Sequence, residues 1–318
     1  MKFNKILFVI MLHLIMLSAC AGAAPTAAPS TSKLNVVATT TLVGDVVRQV
    51  GGDAIQLTVL LPAGVDPHRF EPIPQDAARL AEADLIVANG AGLEEFLDRL
   101  LESAAGDAMV IYASEGIALM ESVEEHHDEG EEAHEGEEEH SHESGDPHVW
   151  MDPNLVQVWV DNIEQALSKQ DPANNSIYKE NAEAYRKQLT DLDAWARQQV
   201  EQVPPANRRL VTDHKSLGYF AARYGFEQVG AVIPSVTSLA ESSAQELAAL
   251  EDAIRTQGVK AVFVGVSVNP SLAQRIAEDT GVQLVPIYTG SLSESDGPAG
   301  SYLDFMRYNV RAIVNALK

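Results

Sequence analysis

An α/β fold with two mostly parallel sheets, each covered by helices, is what the sequence predicts, and three patterns predict it. Eight short apolar runs rich in Val, Ile and Leu are separated by amphipathic helical stretches; the runs form two sets of four; one long helical segment divides the sets. Near-continuous apolar runs mark strands buried on both faces, which parallel sheets require because their crossover helices cover them. With 318 residues, 46% of them hydrophobic, the chain has material for two globular bodies.

Residues 1–20 stand apart from both. Lys2 and Lys5 precede an apolar run from Ile6 to Leu17, and Leu17-Ser18-Ala19-Cys20 follows. A positive start, a short greasy middle and small residues before a cut are the layout of a secretory signal, and the run is too short for a transmembrane helix. Cys20, the single cysteine, falls where a bacterial lipoprotein signal places its acylated thiol. Residues 21–33, rich in Ala, Pro, Thr and Ser, read as a tether. The expectation is an extracytoplasmic protein, lipid-anchored to a bacterial cell membrane or its periplasmic face, with no thiol left for disulfides or cysteine chemistry.

The first lobe is expected over 34–170, with strand runs at Leu34–Thr39, Gln56–Leu61, Asp84–Ala88 and Met109–Tyr112. A linking helix is expected over 171–205, opened by Asp171-Pro172 and stopped by Pro204-Pro205. Its residues Tyr178, Ala182, Tyr185, Leu189, Leu192 and Ala196 recur at steps of four and three, one apolar stripe on a helix of about 45 Å. That stripe fits a backbone helix packed on both lobes, or a coiled-coil interface with a partner. The second lobe is expected over 206–318, with runs at Arg209–Thr212, Gln228–Ile233, Lys260–Val264 and Val282–Ile287.

Charge narrows the ligand. Without Lys2 and Lys5 the chain holds 20 basic and 46 acidic residues, a net charge of -26, which excludes nucleic acid as a partner and favours a cation. The tract 121–146 carries thirteen carboxylates and five histidines, His126, His127, His134, His140 and His142, with no Lys or Arg. Most charge runs are solvated loops, but so many imidazoles among carboxylates point to divalent-metal capture.

Three histidines remain once the tract and His13 of the signal are set aside. His68 follows the second strand run, His148 the fourth, and His214 closes the fifth. Carboxyl ends of strands are where open α/β sheets bind ligands. A lone histidine is more often an ordinary one than a ligand; three at equivalent topological places are harder to assign to chance. If the sheets face each other, His68 and His148 come from one lobe and His214 from the other.

The segments Pro62-Ala63-Gly64-Val65-Asp66-Pro67-His68, Asp146-Pro147-His148-Val149-Trp150-Met151-Asp152-Pro153, Thr212-Asp213-His214-Lys215-Ser216-Leu217-Gly218-Tyr219-Phe220 and Tyr302-Leu303-Asp304-Phe305-Met306-Arg307-Tyr308-Asn309 resemble the solute-binding proteins of zinc and manganese ABC importers, the ZnuA/TroA type. The resemblance spans the mature chain. It implies two Rossmann-like lobes joined by a rigid helix, one metal between them, a monomer, and delivery to an ABC permease and its ATPase. It implies His68, His148 and His214 as metal ligands. Manganese-type members usually have Glu at the third position, whereas zinc-type members have His there and often a His-rich acidic loop before the second ligand, as this chain does. Three imidazoles form a borderline-soft site that suits Zn²⁺ better than Mn²⁺, although copper and nickel also bind nitrogen sites well. Neutral imidazole is the ligating form, so affinity is expected to fall as pH drops through about 6.5.

The fourth ligand departs from the family pattern: Gly290 stands where many relatives have Asp, and Gly265 where some have Glu. Asp66, Glu241 and Asp296 are the candidate carboxylates, with water as the alternative. Lobe displacement is expected to break His214 from the His68–His148 pair on release. A zinc hydrolase also uses three His and a water, but the chain has no His-Glu-x-x-His helix and no evident general base, so a non-enzyme is expected. A surface adhesin is the other rival, permitted by the lipid anchor but without a protein-binding patch to support it.

Overall fold

The structure, a computed structural model, describes residues 33–121 and 145–318. The signal, Cys20, the tether before Lys33 and the tract histidines His126, His127, His134, His140 and His142 lie outside the described residues.

Two four-stranded sheets form, and every pairing within them is parallel. The first is built from β1 (Leu34–Ala38), β2 (Ile55–Val59), β3 (Leu85–Ala88) and β4 (Met109–Tyr112) in the order β2-β1-β3-β4. The second repeats that order as β6-β5-β7-β8, from β5 (Arg209–Thr212), β6 (Glu227–Ala231), β7 (Ala261–Gly265) and β8 (Gln283–Ile287). Each predicted apolar run holds one strand, displaced by no more than one or two residues. Central strands β3 and β7 are buried along their whole length, which is why they read as unbroken apolar runs rather than as alternation.

Helices α1 (Thr41–Gly51), α2 (Pro74–Ala81) and α3 (Leu97–Ala104) connect the first sheet. Those of the second are α6 (Gly218–Tyr224), α7 (Ala244–Gln257), α8 (Ser271–Thr280) and the final α9 (Tyr302–Leu317). Local chemistry sets several of their ends. The Thr40 side chain accepts from Val43 N to start α1, and Ser243 and Glu246 form a reciprocal capping box on α7. Gly258 and Gly281 end α7 and α8 with φ of 66° and 75°, a left-handed step that a side chain disfavours.

Between the lobes, α4 (Pro153–Gln170) and α5 (Asn175–Val200) form a helical hairpin. Asp152 caps α4 by accepting from Asn154 N, and Pro153 follows at the first helical position. The Asp171 carboxylate accepts from Asn174 Nδ2 at 2.6 Å and Tyr178 OH at 2.7 Å, closing the turn between the helices. A 3-10 turn, Pro172–Asn174, takes the first residues of the predicted long helix. The α-helix proper has 26 residues, so it spans about 39 Å rather than 45 Å.

The stripe faces inward as the periodicity requires: Tyr178, Ala182, Tyr185, Leu189, Leu192 and Ala196 are each buried. It packs against α1 of the first lobe and α9 of the second, so the coiled-coil alternative is not needed. Polar contacts fasten the same helix to both lobes. Asn181 Nδ2 donates to Val50 O at 3.0 Å on one side, and Arg223 donates through Nε and NH2 to the Asp193 carboxylate at 2.9 and 2.8 Å on the other. Among the described residues no helix is long and apolar enough to cross a membrane.

Leu189 is buried at the centre of this arrangement, so Leu189→Ala should lower unfolding free energy by about 2–5 kcal/mol, whereas Lys187→Ala on the exposed face should fall within about 0.5 kcal/mol of wild type. Urea unfolding followed by circular dichroism reads both.

Candidate metal centre

Both sheets turn their carboxyl edges to a shared crevice, and the loops there bring His68, His148 and His214 together. Their ligand atoms all lie within 4.8 Å of one another, the one such cluster of three or more His, Cys, Asp or Glu among the described residues. The Nε2 atom of His148 is 3.3 Å from Nε2 of His68 and 3.3 Å from Nε2 of His214. Ring centroids are 5.2 to 5.7 Å apart, with the planes tilted or edge-on rather than stacked. His148 and His214 are 1% and 2% exposed, and His68 is half-buried.

Carboxylates orient two of the rings. His148 Nδ1 lies 2.7 Å from Asp146 Oδ1, which also accepts from His148 N at 2.9 Å. His214 Nδ1 lies 2.8 Å from Asp213 Oδ1, which accepts from His214 N at 2.7 Å, while Oδ2 accepts from Gly265 N at 2.7 Å. An Nδ1–H given to a carboxylate leaves the Nε2 lone pair facing the centre of the cluster, the tautomer a metal ligand needs. Asp146 and Asp213 were missing from the sequence-based site, although Asp stands two residues before His148 and one before His214.

His68 is held differently. Asp66 Oδ1 accepts from His68 N at 3.1 Å and caps the short 3-10 turn Pro67–Arg69, and its Oδ2 accepts from Ser238 Oγ at 2.6 Å. Of the three candidate carboxylates, Asp66 is therefore engaged in bridging, and Glu241 and Asp296 are exposed and outside the cluster. Gly290 lies against the His68 loop: a Cβ there would stand 2.7 Å from Pro67 Cδ. An aspartate at 290 would displace that loop, so glycine is what the packing accepts. At Gly265 a Cβ would meet Thr289 Oγ1 at 2.5 Å and Asp213 Oδ2 at 3.0 Å, crowding the carboxylate that orients His214.

Burial sets the protonation of the cluster. It drives His68 down to about 2, with the neighbouring His148 and His214 adding to the fall. His148 is lowered as well, by burial first, against the opposing pull of Asp146. Burial also disfavours the charged form of His214, but the Asp213 carboxylate outweighs it, and His214 is raised above 6.5. Asp213, which burial alone would raise, is held below its usual range by His214 and by the amides it accepts from. Two imidazoles with lowered basicity and one with raised basicity thus face each other, a set of nitrogen donors able to hold one divalent ion.

The family described as ZnuA, zinc-uptake complex component A periplasmic, matches residues 36–316. The chain belongs to this family. It is a substrate-binding component of a metal ABC importer. Among curated relatives, the manganese-binding lipoprotein MntA of Halalkalibacterium halodurans is 30% identical, with 98% of this chain and 97% of that protein covered. The manganese ABC transporter substrate-binding lipoprotein PsaA of Streptococcus mitis is 31% identical over 100% of this chain and 99% of its own length. Among solved structures, the periplasmic zinc binding protein TroA from Treponema pallidum superposes with a TM-score of 0.78 at 26% identity, covering 90% of this chain and 99% of that one. A cadmium-bound periplasmic metal binding protein from candidatus liberibacter asiaticus gives 0.76 at 26% identity, over 90% and 100%. These likenesses agree with the two-lobed fold with its joining helix.

In metal-free protein, an NMR titration of the imidazoles should find His214 protonating above pH 6.5 and His68 staying neutral wherever the protein is folded. Asp213→Asn should bring His214 down, since the charge that raises it is gone; an unmoved His214 would refute the assignment of that charge.

Proposed function

We propose that His68, His148 and His214 are the ligands of the transported ion, that the ion is Zn²⁺, and that the chain passes it to an ABC permease driven by its ATPase. The carrying observation is the convergence of three imidazoles, two buried and one half-buried, with no carboxylate among the clustered ligand atoms of the described residues. An all-nitrogen donor set favours a borderline-soft ion over Mn²⁺, whose preference runs to oxygen. The family description, zinc uptake, supports the same reading. Manganese is the second reading, favoured by the names of several relatives. Attachment through lipid on Cys20 fits relatives that are themselves called lipoproteins, and would place the protein at the outer face of the cell membrane. The tract 121–146 then serves as an accessory that gathers metal nearby, since its mixture of imidazoles and carboxylates selects no single ion.

Calorimetric titration tests the site. His148→Ala should lose the tight zinc site, and deletion of Glu121 to Glu143 should keep it while removing weaker additional binding. Unchanged zinc affinity in His148→Ala would end the proposal. Elemental analysis of protein purified without added ions decides the ion, because Zn²⁺ binds more tightly than Mn²⁺ at most sites whichever of them is carried; manganese in the purified protein would favour the second reading.

Proton linkage gives an independent check. The proton on His214 must leave before its nitrogen can bind metal, so affinity should fall as pH drops through the raised pKa of His214, starting above 6.5 rather than at it. Titrations in two buffers of different ionisation enthalpy should report about one proton released per ion in that range.

A further inference from the structure

The three histidines differ in which lobe fixes them. Asp146 and Asp213 orient the rings of His148 and His214 from within their own stretches of chain. The loop that carries His68 takes its position from the opposite lobe. Ser238, 5% exposed in the connection between β6 and α7, donates to Asp66 Oδ2 at 2.6 Å, and Asp66 in turn holds the His68 amide. Gly64 N donates to Ser291 Oγ at 2.8 Å, and Pro67 rests on Gly290.

His148 belongs to the first lobe by chain order, yet its segment is fastened to the second. Tyr219 OH donates to Asp146 O at 2.8 Å, Trp150 Nε1 to Thr289 O at 2.7 Å, and Tyr302 OH to Trp150 O at 2.8 Å. Toward the first lobe it has bonds from Asp146 N to Met120 O at 2.8 Å and from Asn89 Nδ2 to Pro147 O at 3.4 Å. The His148 segment is thus tied to both lobes, while the ring itself is oriented by Asp146 from within the segment. His68 also borders open space. A cleft of about 240 Å³ is lined by His68, Phe70, Phe96 and Leu239, with Glu71 and Glu95 at its walls, and touches neither of the other two histidines.

The geometry points to Ser238 as a positioning residue for His68, acting through Asp66, and to His68 as the ligand that parts from the metal first when the lobes separate. This rests on the reading that the three histidines hold the ion. Separation of the lobes pulls Ser238 from Asp66 and frees the Gly64–Arg69 loop, while Asp146 and Asp213 keep His148 and His214 oriented from within their own segments. The ion then faces the cleft beside His68, its outlet. Losing an outer partner of a ligand typically weakens metal sites by about 10–100-fold.

The test is the rate of zinc release into excess chelator by stopped flow, for wild type, Ser238→Ala, Ser238→Thr, His68→Ala and the His68→Ala/Ser238→Ala double variant. Ser238→Ala should release zinc at least about tenfold faster, Ser238→Thr should return the rate to near wild type, and the metal-free melting temperature should fall by only the few degrees that one lost hydrogen bond costs. In the His68→Ala background, Ser238→Ala should add nothing. A wild-type rate in Ser238→Ala overturns the inference. So does equal acceleration with and without the His68 side chain, which would mean that Ser238 merely holds the lobes together. Failure of the underlying reading looks different: His148→Ala would then bind zinc as tightly as wild type.

Discussion

Three imidazoles can face one another across 3.3 Å only where the surrounding protein bears the loss of their hydration and decides which of them carries a proton. Burial disfavours every charged form, and so two rings stay neutral. The third is raised above its ordinary value because Asp213 stands beside it, itself stabilised as an anion by His214 and by the amides of Gly265 and His214. The same carboxylate that favours a proton on the ring also fixes its orientation, with Nε2 toward the other two rings.

The scaffold that holds the rings is the reason for the duplicated topology. An order of β2-β1-β3-β4, repeated as β6-β5-β7-β8, gives each lobe the same crevice at the carboxyl ends of its strands. One rigid helix, buried on its stripe and tied to Val50 on one side and Arg223 on the other, keeps the two crevices opposed. With the lobes so held, the segments that follow β2, β4 and β5 bring the three histidines to one point.

Much of this was legible in the sequence because it is periodic or local. Buried parallel strands leave apolar runs, and a helix packed on one face leaves steps of three and four; both survived translation into structure almost residue for residue. The three histidines were legible by their place after strands. What the sequence hid were contacts between residues far apart along the chain. Ser238 and Asp66 are 172 residues apart and Trp150 and Thr289 139 apart, and no local pattern marks either pair. They tie the His148 segment and the His68 loop to the second lobe, which chain order alone does not show. Asp146 and Asp213 were hidden for another reason: in an acidic chain, one carboxylate beside a histidine is unremarkable until the ring nitrogen is seen to point at it. Gly290 was legible as a departure from the family, but its cause, contact with Pro67, was not.

Tight capture and timely release conflict, and the sizes of the interactions say where the conflict is resolved. Shifting a site from almost always closed to almost always open needs about 5.5 kcal/mol of differential interaction. The hydrogen bonds across the crevice from Gly64 to Ser291 and from Leu292 to Thr41 are worth only about 0.5–1.5 kcal/mol each in net terms, and the one from Ser238 to the Asp66 carboxylate about 1.5–3 kcal/mol. Breaking them loosens the lobes without explaining how an ion held by three nitrogens leaves. Their greater effect is indirect, because one of them fixes the loop of a ligand. A modest lobe displacement that costs little in hydrogen bonds removes a whole metal–nitrogen bond, and the ion remains on two imidazoles at the edge of an open cleft. Release on this account is decided by which histidine takes its position from a partner across the crevice, and His68, held through Asp66 by Ser238, has that role.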